Sequence, residues 1–198
     1  MKITSIKQQV KNPERASIFV DGKYSLSLTL NELVAEKLKI NQELDEAAHK
    51  RLKKMSEDGK QKARALEWVL NRPRSVREFK DYMFHKKADP GLTEKLITEF
   101  TERNYINEER FAGWLSDVRA RRGKSNRAIQ AELASKGIAR ETVKEVLADN
   151  NEIERLKELV AKKGKLPRYK ADPQKLIRYL ASHGFSYDDI KNVLSKEV

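Results

Sequence analysis

A mainly α-helical protein of tandem three-helix repeats, forming an elongated curved molecule with a small N-terminal β-hairpin module, is what this sequence predicts. Three observations lead there. Apolar residues take helical spacing from Asn31 onward, and one spacing pattern recurs three times after residue 60. In addition, only 38% of the 198 residues are hydrophobic while 36% are charged, which suits small stacked units better than one large core.

The opening is the part that is not helical. Ala16, Ile18 and Val20 alternate with more polar neighbours, Asp21-Gly22 supplies a two-residue turn, and Leu26, Leu28 and Leu30 alternate after it, which predicts a hairpin. Ile3 to Gln8 is a candidate third strand, because an isolated two-stranded hairpin is marginal. Leu33, Val34 and Leu38, then Leu44, Ala47, Ala48, Leu52 and Met55, read as helix, with Gly59 a candidate break after it. This module is assigned to residues 1–60.

The repeats are assigned to 61–107, 108–150 and 151–198. With Ser75, Ser125 and Asp172 taken as helix N-caps, Phe79, Ile129 and Leu176 follow four residues later, and Met83, Leu133 and Leu180 eight later. Apolar pairs recur at the far end as Leu96-Ile97, Val146-Leu147 and Val193-Leu194. Lys136-Gly137-Ile138 and His183-Gly184-Phe185 place a glycine where a left-handed C-cap is expected, and the first copy substitutes a longer loop, Lys86 to Gly91. A further helix precedes each cap, carried by Ala65, Trp68 and Val69, by Phe111, Trp114, Leu115 and Val118, and by Leu156, Leu159 and Val160. Each unit therefore has three helices and gains from stacking on its neighbours.

The 42 Lys and Arg against 30 Asp and Glu leave a net charge of +12, which favours an anionic partner such as a phosphate backbone. The excess is spread along the chain, but its densest clusters fall at the junction of the first and second helices of every repeat. They are Arg72, Arg74 and Arg77; Arg119, Arg121, Arg122, Lys124 and Arg127; and Lys162, Lys163, Lys165, Arg168 and Lys170. Helix N-termini at the same junctions add N–H groups suited to phosphate or carboxylate. The plainer reading of any one cluster is a solvated loop that aids solubility. Recurrence at three equivalent positions favours binding.

The sequence offers no catalytic set. Gly123-Lys124-Ser125 is similar to the end of a phosphate-binding loop, but Val118 stands where the earlier glycine is required and a helix precedes it, so it reads as a turn and an N-cap. His49, His85 and His183 are too scattered for a metal site, and His183 is placed to interact with a helix C-terminus. Glu108-Glu109 and Asp188-Asp189 fall at predicted helix starts, where acids are favoured electrostatically. Trp68 and Trp114 have apolar neighbours at helical spacing and read as core. With no cysteine, disulfides, thiolate nucleophiles and zinc fingers are excluded. No run approaches the roughly 20 apolar residues of a membrane span, and the first residues lack the apolar core of a signal peptide, so a cytoplasmic protein is expected.

Residues 104–147 carry Asn104-Tyr105-Ile106-Asn107-Glu108-Glu109-Arg110-Phe111-Ala112, then Arg119, Gly123, Ile129, Leu133 and Lys136-Gly137-Ile138. This resembles the RecX family of recombinase regulators. Arg72-Pro73-Arg74-Ser75 leading into Phe79, and Gly184-Phe185 in the last copy, extend the resemblance over about 61–198. Many relatives have Gly where this chain has Asn104, and Asp where it has Asn107. The resemblance implies three tandem three-helix repeats and a non-enzymatic protein that binds the RecA filament on DNA along its groove. It also implies restraint of the filament's recombinase, ATPase and coprotease activities, and so a part in DNA repair, recombination and the SOS response. No cofactor is implied, and a monomer is expected. Three other readings compete: a DNA-binding or architectural protein acting without a recombinase, a scaffold for an acidic protein surface, and a nuclease, for which the converging carboxylates are missing.

Overall fold

The computed structural model describes residues 1–148 and 150–195. Three strands open the chain, β1 (Ile3–Gln8), β2 (Arg15–Val20) and β3 (Lys23–Thr29), in an antiparallel sheet of order β1-β2-β3. The hairpin forms as expected, with Ile18 opposite Leu26 and Ala16 opposite Leu28. Asp21 and Gly22 both take positive φ, 49° and 80°, the conformation a tight turn between right-twisted strands requires. β1 supplies the third strand, pairing Ile6 with Ile18.

One face of the sheet is closed by α1 (Leu30–Ala35) and α2 (Glu46–Leu70), burying Ile3, Ile18, Val20, Leu26, Leu28, Leu44 and Leu52 together. Thr29 and Glu32 cap α1 reciprocally, and Asp45 caps α2 by accepting from the Ala48 N–H. The break expected at Gly59 is absent, for α2 runs unbroken through it. That glycine serves packing instead. A Cβ there would lie 3.3 Å from Glu32 Oε1 and 3.5 Å from Arg15 Nη1, and Arg15 is itself buried, donating to the Ser27 carbonyl at 2.7 Å.

The remaining helices are α3 (Val76–His85), α4 (Pro90–Glu102), α5 (Glu108–Arg121), α6 (Asn126–Ser135), α7 (Arg140–Ala148), α8 (Glu152–Gly164), α9 (Pro167–Lys170), α10 (Pro173–Ser182) and α11 (Tyr187–Leu194). Of these, α5 to α7 pack together as one three-helix unit and α8 to α11 as another, which carries the short unexpected turn α9 around buried Tyr169. All three N-caps form: Ser75 accepts from Glu78, Ser125 from Ala128 and Asp172 from Gln174. The stripe of Phe79, Met83, Ile129, Leu133, Leu176 and Leu180 is buried throughout. Glu108 and Glu109 lie in the first turn of α5, Asp188 and Asp189 in that of α11. The chain divides into two compact units, Met1–Asn71 with Met83–Leu96, and Arg72–Tyr82 with Ile97 onward.

The turn after α3 corrects the expectation of a longer loop in the first copy. Lys87 stands twelve residues after its cap, as Gly137 and Gly184 do after theirs, and takes the same left-handed conformation at φ 54°. The Ala88 N–H donates to the Met83 carbonyl at 3.0 Å, as Ile138 does to Leu133 and Phe185 to Leu180. A lysine there carries the steric cost of its Cβ. We expect Lys87→Gly to raise stability by about 0.5–1 kcal/mol in urea denaturation, less than the full relief because glycine also loosens the unfolded chain.

Candidate nucleic-acid and partner interface at the repeat junctions

Ionic geometry sorts the predicted basic residues into two groups. Arg72, Arg74 and Arg119 belong to the framework. Arg72 lies over the Trp114 ring at 4.7 Å and reaches Glu78 at 2.9 Å, while Arg74 lies 3.9 Å from the same carboxylate. Arg119 grips Glu132 with two bonds of 2.6 and 2.5 Å. The acids stand on α3 and α6, thirteen residues downstream of their arginine in one case and four to six in the other, so each pair ties a helix junction together. Arg77, Arg121, Arg122, Arg127, Lys162, Lys165, Arg168 and Lys170 are exposed, and Lys124 and Lys163 half-buried.

Two carboxyls report these pairs. Burial alone would raise the pKa of Glu78, but hydrogen bonds from Arg72 and Lys136 overcome it and hold the group below its ordinary value. The Arg119 hydrogen bond does the same for Glu132, against the opposing effect of burial. A depressed folded-state pKa contributes stability that is complete above the unfolded value and disappears as pH falls through the folded one. The wild type should therefore lose more stability than Glu78→Gln between roughly pH 5 and pH 3, so that the gap separating them at neutral pH closes with acid. Urea midpoints measured across that range check it; a constant gap would show that Glu78 is not ionically coupled.

Two of the three helix N-termini expected to receive phosphate, those of α3 and α6, are already covered. Ser75 and Ser125 are each 0% exposed. On α6 the cover is the turn of the following repeat: the Ser125 N–H donates to the His183 carbonyl at 3.0 Å, and His183 Nδ1 lies 2.9 Å from the Gly123 carbonyl. On α3 it is the turn before α7, with Gly137 beside Arg77 and Lys136 Nζ 3.2 Å from Glu78. These N-termini hold repeats together and are lost as anion sites. His183 is also the C-cap of α10, the helix-end role expected of it, and its ring rests on Tyr179 at 4.3 Å.

What the junctions do present is a cleft of about 500 Å³ between the C-terminal end of α5 and the face of α8. It brings Arg121 and Arg122 of the second repeat together with Lys162 and Lys163 of the third, beside Gly123, Leu159 and Tyr179. Each pair of cations also sits where the carbonyl end of a helix attracts it. None of Arg121, Arg122, Lys124, Arg127, Lys162, Lys163, Lys165, Arg168 and Lys170 pairs with a carboxylate among the described residues. Arg77, Lys124, Arg127, Lys165, Arg168 and Lys170 stand outside the cleft lining. Lys163 lies over the Tyr179 ring at 5.6 Å and Arg168 over Tyr169 at 4.5 Å.

One functional neighbour escaped the sequence reading. Arg155 is half-buried in the cleft wall, donating to the Lys124 carbonyl at 3.2 Å and to Asn126 Oδ1 at 2.7 Å, with Asn150 Oδ1 as a third partner. It fastens α8 to the start of α6, and burial lowers its pKa. A lone arginine among acids on a helix carries no local sign of such a task.

Known proteins are similar to this chain in sequence and fold. Residues 1–45 match the regulatory protein RecX N-terminal domain, 107–147 the second three-helix domain of RecX and 150–194 the third. The protein named Regulatory protein RecX of Bacillus subtilis is 31% identical over 201 residues, spanning 98% of this chain and 76% of that protein. Its namesake in Bacillus velezensis is 32% identical over the same shares of both chains. That of Listeria welshimeri is 32% identical over 158 residues, 78% of this chain and 59% of that protein. A crystal structure of regulatory protein RecX has the same fold at a TM-score of 0.71 and 22% identity, covering 96% of this chain and 98% of that one. RecX from Lactobacillus salivarius follows at 0.58 and 22%, over 70% of this chain and 95% of that one. Domain matches at both ends of the chain, 31–32% identity to two Bacillus proteins over 98% of this chain and a fold of three-helix repeats agree with the motifs of residues 104–147: the chain belongs to the RecX family of regulatory proteins.

Proposed function

We propose that this protein binds the RecA recombinase filament assembled on DNA and restrains its recombinase, ATPase and coprotease activities, acting without a cofactor as a cytoplasmic monomer. The observation that supports this reading best is the surplus of cations on the second and third repeats, nine of which pair with no carboxylate among the described residues. Such a surface gains affinity for a phosphate backbone through counterion release. The family adds a regulatory role, and a filament offers DNA and protein on one surface. Bridging several protomers would impede filament growth and strand access.

The same cations would equally serve a protein that coats DNA without a recombinase. Titration into a recombinase ATPase assay on single-stranded DNA, with naked-DNA binding recorded in the same buffer, separates the two. Inhibition at concentrations well below those that coat naked DNA is the expected result. Inhibition that begins only when the DNA is saturated would establish the general DNA-binding reading instead.

A further inference from the structure

Resting on that proposed function, we infer that the cleft between α5 and α8 docks a segment of the filament's protein component carrying both a carboxylate and a cation, and that DNA runs outside it. The lining carries the argument. Glu154, Glu158 and Lys162 follow one another at four-residue intervals along a single face of α8, each about 6 Å further along the axis. The cleft therefore turns from anionic at the N-terminal end of α8 to cationic where Lys162 and Lys163 meet Arg121 and Arg122.

A nucleic-acid strand presents a phosphate at every step, and one laid along this path would pass two carboxylates. Like charges brought together at a binding surface work against that partner. A protein segment has no such constraint. A carboxylate seated between Arg121, Arg122 and Lys163, with a lysine or arginine a few residues away facing Glu158, satisfies both ends at once. Glu158 pairs with no cation among the described residues, so it is available. Glu154 touches Lys157 at 3.1 Å in an exposed pair, with side chains 57% and 47% accessible, and such pairs are weak and readily exchanged.

The cleft is also built to keep its shape. Arg155 bonds the α8 wall to Lys124 and Asn126 across the repeat seam, and His183 fixes the Gly123 carbonyl beside the mouth. A preformed site of this size, with Leu159 and Ala120 as apolar floor, loses little on ordering a partner. The remaining open cations, Arg127, Lys165 and Lys170 among them, stand outside the lining, pair with no carboxylate among the described residues and are free to follow a strand.

The test is the double variant Glu154→Gln, Glu158→Gln, isosteric and at exposed positions, in the full chain. Its affinity for an oligothymidylate should stay within about twofold of wild type, while the concentration that half-inhibits recombinase ATPase rises about tenfold through loss of one end of the charge pattern. If the variant binds the oligonucleotide more tightly and inhibits more strongly in step, phosphate occupies the cleft and the inference is wrong. If neither quantity moves, the cleft is unused and it is equally wrong. A wild-type protein that leaves the recombinase untouched at any concentration would remove the function proposed above, and the docking site with it.

Discussion

Gly184→Ala should unfold the seam between the second and third repeats, at a cost of about 3 kcal/mol or more. Two effects combine. The residue takes φ +100°, outside the range in which a side chain is comfortable, and a Cβ there would lie 2.3 Å from Ser125 Oγ and 2.8 Å from Ala128 Cβ. Neither neighbour has room to retreat. Ser125 is fully buried and its hydroxyl accepts from the Ala128 N–H at 3.1 Å, so displacing it uncaps α6 as well. Gly137 is the internal control. It has the same place in the preceding repeat and a similar φ of +82°, but its nearest neighbour would be Arg77 Cβ at 3.7 Å, an ordinary contact. Gly137→Ala should thus cost only the backbone strain, about 1–2 kcal/mol. Urea midpoints of the two variants side by side decide the matter. Equal losses would mean that left-handed strain dominates and that the close approach of the repeats is not rigid. Hydrogen exchange should show α10 and α11 losing protection first in Gly184→Ala.

The contrast between these glycines shows what can be read from a sequence and what cannot. Periodicity placed the buried stripe from Phe79 to Leu180 and the three caps, because each depends on residues within a turn or two of one another. Gly137 and Gly184 were recognisable as helix stops for the same reason. That Gly184 also admits a neighbouring repeat was hidden, since Ser125 and Ala128 are more than fifty positions away. Gly59 misled in the opposite direction. A glycine inside a helical pattern suggests a break, yet here it makes room for Glu32 and Arg15, which reach α2 from the sheet side. Lys87 was concealed because a lysine holds a left-handed turn normally given to glycine. Basic clusters were visible at every junction, but whether an arginine is structural or open depends on acids elsewhere. Arg119 finds Glu132 and Arg72 finds Glu78, whereas Arg121 and Arg122 find no carboxylate among the described residues. Local sequence records the supply of charge, and only the fold records its pairing.

That distinction yields the sharpest functional prediction. Reversing Arg127, Lys165 and Lys170 together to glutamate should weaken binding to single-stranded DNA by about a hundredfold or more at moderate salt and flatten the dependence of log affinity on log salt by about two units. The three side chains are exposed, pair with no carboxylate among the described residues and lie outside the cleft, so their reversal should leave the melting temperature near that of wild type. Arg119→Glu should behave in the opposite way. It sets two carboxylates face to face where a bidentate pair held α5 to α6, and should cost about 3 kcal/mol of stability. At temperatures where that variant stays folded, its salt slope should match the wild type, because the lost cation was already neutralised by Glu132. If the triple variant kept the wild-type slope, its cations would be solubility charge and the DNA path would have to run elsewhere. Should Arg119→Glu instead lower the slope by about a third as much as the triple variant while remaining folded, the division of the basic residues into framework and open surface would be wrong, since a paired arginine would then be releasing as many counterions as an unpaired one.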